Sequence, residues 1–250
     1  MKKRIISLAL ACAILLSANV QVFAESVPAG CLKETPLSSL EEQLAELSAA
    51  GLNTAAQTAI LEKLLDLGPS TPQITSRATT WSHLPGTYIC YAQQNSSYCM
   101  PAVAKAVIQY LMGSSDSQAD IAKAMKVGQT TGGSFSEMRP YLNNNQNKNS
   151  YVTRDYSTTK TTMESNFHAA ITTFKAPAVL SIFVTASDDW PYTTQGHAVA
   201  LNAARDDKGY FQVADPWIGY ITPGANPYYQ RDSNTFHTII TVDQYCGYVY

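Results

Sequence analysis

An α+β fold is predicted for this chain of 250 residues. Helical periodicity fills the sequence up to Pro177, and strand-like apolar runs fill the part after it. The two never alternate as a parallel βαβ sheet would require. A third observation is a helix headed by a cysteine, Cys99-Met100-Pro101-Ala102, with apolar side chains on most of its surface.

Taken in order, Met1-Lys2-Lys3-Arg4 precede an apolar run from Ile5 to Leu16 and the small-residue pattern Val22-Phe23-Ala24. That is the layout of a secretory signal peptide over residues 1–24, and the apolar run is shorter than the roughly 20 residues a membrane span needs. The mature chain is expected to be secreted, with no membrane attachment after cleavage. Cys31 follows Pro28-Ala29-Gly30, which lacks the aliphatic residue a lipid-anchor site would carry. Loss of Lys2, Lys3 and Arg4 with no acidic residue moves the formal charge from −2 to −5. With no basic stripe in the sequence, nucleic acid is not an expected partner.

Residues 25–68 read as a helical hairpin. Ser39 and Glu42 form a capping box, Leu40, Leu44 and Leu47 repeat on one face, and Gly51 stops the first helix. The second is expected from about Thr54 to Leu67, with Ile60, Leu61, Leu64 and Leu65 apolar and Gly68 at its end. Two short helices cannot bury their apolar faces alone, so the pair must dock on the main domain or serve as a prosegment. Residues 69–85, rich in Pro, Ser and Thr, are expected to be a linker to a domain spanning 86–250.

The Cys99 helix is predicted from Pro101, whose fixed φ suits a first turn, and from the apolar set through Met112, with Gly113 ending it. Short helices follow near Gln118–Met125 and Ser134–Leu142, the second capped by Ser134 with Glu137 at N3, and a longer one spans Thr159–Phe174. Strands are expected at Ala178–Thr185, His197–Ala204, Tyr210–Ala214, Phe236–Val242 and Gly247–Tyr250, with Arg205–Gly209 as a hairpin turn.

A cysteine at a helix N-terminus feels backbone N–H groups and the positive end of the dipole, which favour thiolate. By itself such a residue is more often a buried structural cysteine or half of a disulfide. The mature cysteines Cys31, Cys90, Cys99 and Cys246 are even in number, which in an oxidising compartment suggests two bridges. A catalytic Cys99 leaves three, enough for one bridge.

The nucleophile needs a base and an orienting group. Of four histidines, His83 sits in the linker, His168 mid-helix and His237 in a late strand; His197 follows Gly196 at a strand mouth after a loop rich in Trp and Tyr. Asp215 ends the next strand, and the hairpin between them should bring the two side chains together. Alone, the Asp215-Pro216 pair would read as a turn. Gln93, six residues before Cys99, is a candidate oxyanion donor.

Gln93, Cys99-Met100-Pro101-Ala102, Ser117-Gln118, Gly132-Gly133, Pro177-Ala178-Val179-Leu180, Gly196-His197 and Val213-Ala214-Asp215-Pro216 resemble, in this order, a secreted C39-like peptidase domain, one of the papain-like cysteine peptidases. The resemblance covers about Tyr91 to Tyr250. It implies a papain-like fold and a monomer acting on a peptide or protein substrate without a cofactor. It also implies Cys99 as nucleophile, His197 as general base and acid, Asp215 as orienter and Gln93 as oxyanion donor. Met100 stands where the family usually has glycine, which would narrow the cleft, alter the substrate or mark lost activity. Two other readings stand beside it: an inactive secreted binding module of the same fold, and an amidase or endopeptidase acting on cell-wall peptides. No metal is expected, because the histidines and cysteines lack ligand spacing.

Overall fold

The computed structural model describes residues 37–50, 55–65 and 79–250. The expected signal peptide, Cys31, Gly51, Gly68 and most of the expected linker lie outside the described residues.

In chain order the elements begin with helices α1 (Leu40–Ala50) and α2 (Ala55–Leu64), then strand β1 (Trp81–His83). The Cys99 helix is α3 (Cys99–Met112), followed by α4 (Gln118–Ala124), a 3-10 turn (Phe135–Glu137) and α5 (Met138–Asn145). Strand β2 (Thr153–Asp155) and helix α6 (Lys160–Thr172) lead into β3 (Ala178–Val184), β4 (Thr194–Arg205) and β5 (Tyr210–Ala214). A short helix α7 (Pro216–Ile221), strand β6 (Tyr228–Asp232), helix α8 (Ser233–Thr241) and strand β7 (Gly247–Val249) complete it. The seven strands form one antiparallel sheet in the order β2-β7-β3-β4-β5-β6, with β1 paired to the far end of β4. This is the expected α+β, papain-like layout, with α3 packed on β4.

Local chemistry explains where most helices start. Ser39 and Glu42 exchange side-chain to backbone hydrogen bonds at the head of α1. The Ser117 hydroxyl accepts from the Asp120 N–H and that of Thr159 from the Thr162 N–H. Gly113 closes α3 at φ 79°, a left-handed position that favours glycine. Ser134 caps the 3-10 turn through the Ser136 N–H, while Glu137 pairs with Lys126 rather than completing a capping box.

Four expectations need correction. Residues 236–242 are not a strand: Ser233–Thr241 is helical, capped by Asp232, with Phe236, Ile239 and Ile240 buried at helical spacing. A short apolar run fits either period, and the cap decides it. His237 therefore lies on α8, its Nε2 against the Thr158 carbonyl. The linker does not reach Pro85 unstructured, because Trp81–His83 pairs with Ala203–Arg205 of β4. Short, polar β2 and β6 and the helix α7 were not foreseen: β2 depends on β7, distant in sequence, β6 pairs with β5 across the α7 connection, and α7 starts at the Asp215 cap. Helix α2 ends at Leu64, with Leu65 in a turn.

The hairpin docks on the β2–β7 edge. The buried Gln43 amide donates to the Thr153 carbonyl and accepts from its N–H, completing the edge of β2 as another strand would. Lys63, buried, donates to the Tyr250 carbonyl and Asn149 Oδ1, with Phe174 at 4.1 Å from its ammonium. Arg154 and the Tyr250 hydroxyl cap the carbonyls at the end of α2. Strands β7 and β3 separate this edge from β4, which carries His197. Gln43→Ala leaves two buried backbone groups without partners and is expected to cost about 1–3 kcal/mol. Urea unfolding of the full chain measures it; unchanged stability would mean that the hairpin leaves the edge without consequence, as a removable prosegment could.

Candidate active site

Residues 92–99 form a short bracket ahead of α3. Asn95 organises it: its side chain accepts from the Ser97 N–H, and its carbonyl accepts from the Gln93 amide at 2.7 Å and from the Tyr98 N–H. Cys99 begins α3 with no exposed surface. Tyr98, at the cap position, makes no side-chain cap, and Pro101 has no N–H to satisfy. The Cys99 helix thus opens without the Ser, Thr or Asp cap that heads α4, α6, α7 and α8.

Ala200 of β4 lies opposite Ala214 of β5. Across that register, His197 Nε2 donates to Asp215 Oδ1 at 2.9 Å, both side chains wholly buried. The other ring nitrogen, Nδ1, is buried and takes no hydrogen bond from nitrogen or oxygen. Burial by itself would lower the His197 pKa, but the charge and hydrogen bond of Asp215, followed by the hydrogen bond and charge of Cys99, push it up to about 9. The Cys99 thiol therefore acts on the imidazole whose far nitrogen Asp215 holds.

Asp215 accepts four hydrogen bonds. Besides His197, the Trp217 N–H donates to Oδ1 at 2.9 Å, as expected for the N-cap of α7. The Tyr192 and Tyr229 hydroxyls donate to Oδ2 at 2.5 and 2.7 Å. Burial raises a carboxyl pKa, yet the charge of His197 and the hydrogen bonds from His197, Tyr192 and Tyr229 overcome it and hold Asp215 below its usual value. The two tyrosines were missed from the sequence. The only pointer was the aromatic loop before Gly196, and nothing local marks Tyr229.

Gln93 is buried, with its N–H bonded to the Pro216 carbonyl, one residue from Asp215. One amide hydrogen goes to Asn95; the second remains for another acceptor. Its Oε1 is buried without a partner. Met100 is fully buried in the core. His83 and His168 stand elsewhere, on β1 and α6. Among the described residues no cluster of His, Cys, Asp or Glu could hold a metal. Cys90, Cys99 and Cys246 carry no disulfide. Burial raises the Cys90 thiol pKa and lifts that of Cys246 to about 12, so neither resembles a nucleophile.

The assembled chemistry is a thiol at a helix head, an imidazole held by a buried carboxylate, and an amide donor on the adjoining bracket. Surface cavities of about 610 Å³ beside α2 and about 560 Å³ beside β1 are lined by other residues. The members of this site are buried in the folded state. Compared with known families, residues 87–238 match the Peptidase_C39 like family. No curated protein matches the chain.

Proposed function

The chain belongs to the Peptidase_C39 like family, whose function is of the papain-like cysteine peptidase type, and from that premise we propose that it hydrolyses peptide bonds through a Cys99 thiolate. The single observation that supports this most is His197, which commits Nε2 to Asp215 and leaves Nδ1 to the Cys99 thiol at an uncapped helix head.

In this reading Cys99 Sγ attacks the scissile carbonyl carbon, and the C=O electron pair moves to oxygen. The oxyanion is held by the second Gln93 amide hydrogen and the Cys99 backbone N–H. His197 gives its proton to the leaving amine as the C–N bond breaks, then takes one from water, whose oxygen attacks the thioester and releases thiolate. Asp215 keeps the ring oriented and the imidazolium favoured. Because Cys99 and His197 have no exposed surface, substrate entry requires part of the covering wall to move. Tyr192, in edge contact with the His197 ring at 5.7 Å and near Trp217 at 6.4 Å, belongs to that wall.

We read the enzyme as secreted, a monomer acting on peptide or protein, with the hairpin as a permanent brace on the β2 edge. Among the described residues, no helix is long and apolar enough to cross a membrane. An inactive binding module is the competing reading, favoured by Met100 and by the closed site. Labelling with an epoxide thiol probe, followed by mass mapping, separates them. Label on Cys99 together with casein cleavage supports the peptidase. A Cys99 that never reacts, in a protein that cleaves nothing, overturns it.

Gln93→Ala is expected to lower kcat by about 10²–10³-fold with KM little changed, because the lost donor serves the transition state. Steady-state kinetics on a quenched fluorescent casein read this. Equal activity would remove Gln93 from the oxyanion site.

A further inference from the structure

Gln118 has no part in the chemistry above, yet its side chain is buried and both ends of its amide are used. Its Oε1 accepts from the Gln94 N–H at 2.9 Å and its Nε2 donates to the Ala92 carbonyl at 2.8 Å. These two backbone groups flank Gln93. Gln118 therefore grips the bracket as a neighbouring strand would, with Gln93 between the two bonds.

The opposite side of the bracket is fixed by α7. The Gln93 N–H donates to the Pro216 carbonyl, and a Cβ on Gly219 would come within 3.0 Å of the Ala92 side chain. Glycine at that position lets α7 press against the bracket. The α7 anchor is Asp215 itself, through its bond to the Trp217 N–H. The Gln93 peptide is thus held from α4 on one side and from the Asp215 turn on the other.

We propose that Gln118 is a positioning residue that sets where the Gln93 amide points, and so tunes the oxyanion site without touching substrate. The proposal rests on the peptidase reading for its kinetic consequence, but the clamp itself does not. Ser117 already caps α4 and can start that helix unaided, so the Gln118 side chain is not needed for α4 to form. A misplacement of about 1 Å in a catalytic donor can cost roughly 10²-fold in rate, which makes such a clamp worth keeping.

The test uses the full chain with Gln118→Ala and Gln118→Glu, each alone and with Gln93→Ala. Amide exchange followed by NMR reads the clamp directly. Gln118→Ala should speed exchange at Gln94 by about tenfold or more and shift the Gln93 side-chain amide resonances. Gln118→Glu keeps the acceptor for Gln94 and should preserve its protection, losing only the bond to Ala92. On quenched fluorescent casein, Gln118→Ala should lower kcat by roughly 10- to 100-fold with KM within about twofold, Gln118→Glu by less. In the Gln93→Ala background the same substitution should cost less than about twofold, because its effect runs through Gln93.

Unchanged exchange at Gln94 overturns the clamp. Rate losses that multiply fully in the double variant overturn action through Gln93 and leave a general structural effect. A parent protein that cleaves no casein or peptide defeats the peptidase reading, while the exchange and resonance shifts still decide whether Gln118 positions Gln93.

Discussion

Cys99→Ala is expected to abolish all peptide hydrolysis and to leave the protein folded. Both halves follow from the site. The Cys99 sulfur is the only protein atom in the proposed mechanism that bonds to substrate carbon, and burial raises the pKa values of Cys90 and Cys246, which makes both poor replacements. Removing Sγ from a residue with no exposed surface opens a void of about one heavy atom, which costs about 1 kcal/mol. That corresponds to roughly 2–4 °C in Tm for a domain of this size. The imidazole keeps its bond to Asp215, so no buried charge is stranded. Measured together, zero turnover and a nearly native melting curve identify the nucleophile. Turnover that survives the substitution would require another nucleophile and would end the cysteine peptidase reading. Loss of the folded state would instead assign Cys99 a structural role in the core.

The sequence carries the main outline of this fold because its signals are local. Capping side chains at Ser39, Ser117 and Thr159 sit beside the helices they start, and the four-residue turn after Arg205 starts the β4–β5 pairing that, past a register shift between Leu201 and Ala203, brings His197 to Asp215. Residues 233–241 show the limit. Phe236, Ile239 and Ile240 satisfy a helix and a buried strand almost equally until Asp232 is seen to cap them. Strands β2 and β6 are short and polar, and they exist through pairing, β2 with β7 far away in sequence and β6 with β5 across the α7 connection. The same holds within the site. Cys99, His197, Asp215 and Gln93 announce themselves by residue type and local setting, whereas Tyr192, Tyr229 and Gln118 matter through where their polar ends arrive. Phenols and amides are common, and only the folded chain shows that two phenols end on one carboxylate and one amide spans Gln93.

Asp215→Ala should have the largest combined effect on stability and rate. Four donors converge on that carboxylate: His197, the Trp217 N–H, Tyr192 and Tyr229. Truncation strands a buried imidazole and leaves α7 without its cap. Removing one member of a buried pair costs about 3–5 kcal/mol, roughly 6–20 °C in Tm here. Turnover should fall by about 10²–10⁴-fold, because His197 loses the group that orients it. The pH dependence carries the sign of both shifts. The Asp215 pKa is depressed, so its contribution is present above an unfolded value of about 3.9 and is lost as pH falls through the lower folded value. The His197 pKa is raised to about 9, so its contribution is full below an unfolded value of about 6.5 and disappears as pH rises through 9. The pair therefore stabilises most between about pH 4 and 6.5 and weakens towards pH 9. In Asp215→Ala that dependence should flatten, since the larger influences raising the His197 pKa are gone and burial opposes what Cys99 still contributes. Asp215→Asn keeps an acceptor for the His197 and Trp217 N–H groups and turns its amide hydrogens towards the two phenol oxygens. It should recover most of the stability while losing the charge that favours imidazolium. Urea unfolding of the three proteins at pH 5, 7 and 9 reads the outcome. Equal stability differences at all three pH values would show that the Asp215–His197 bond contributes through shape and not through charge.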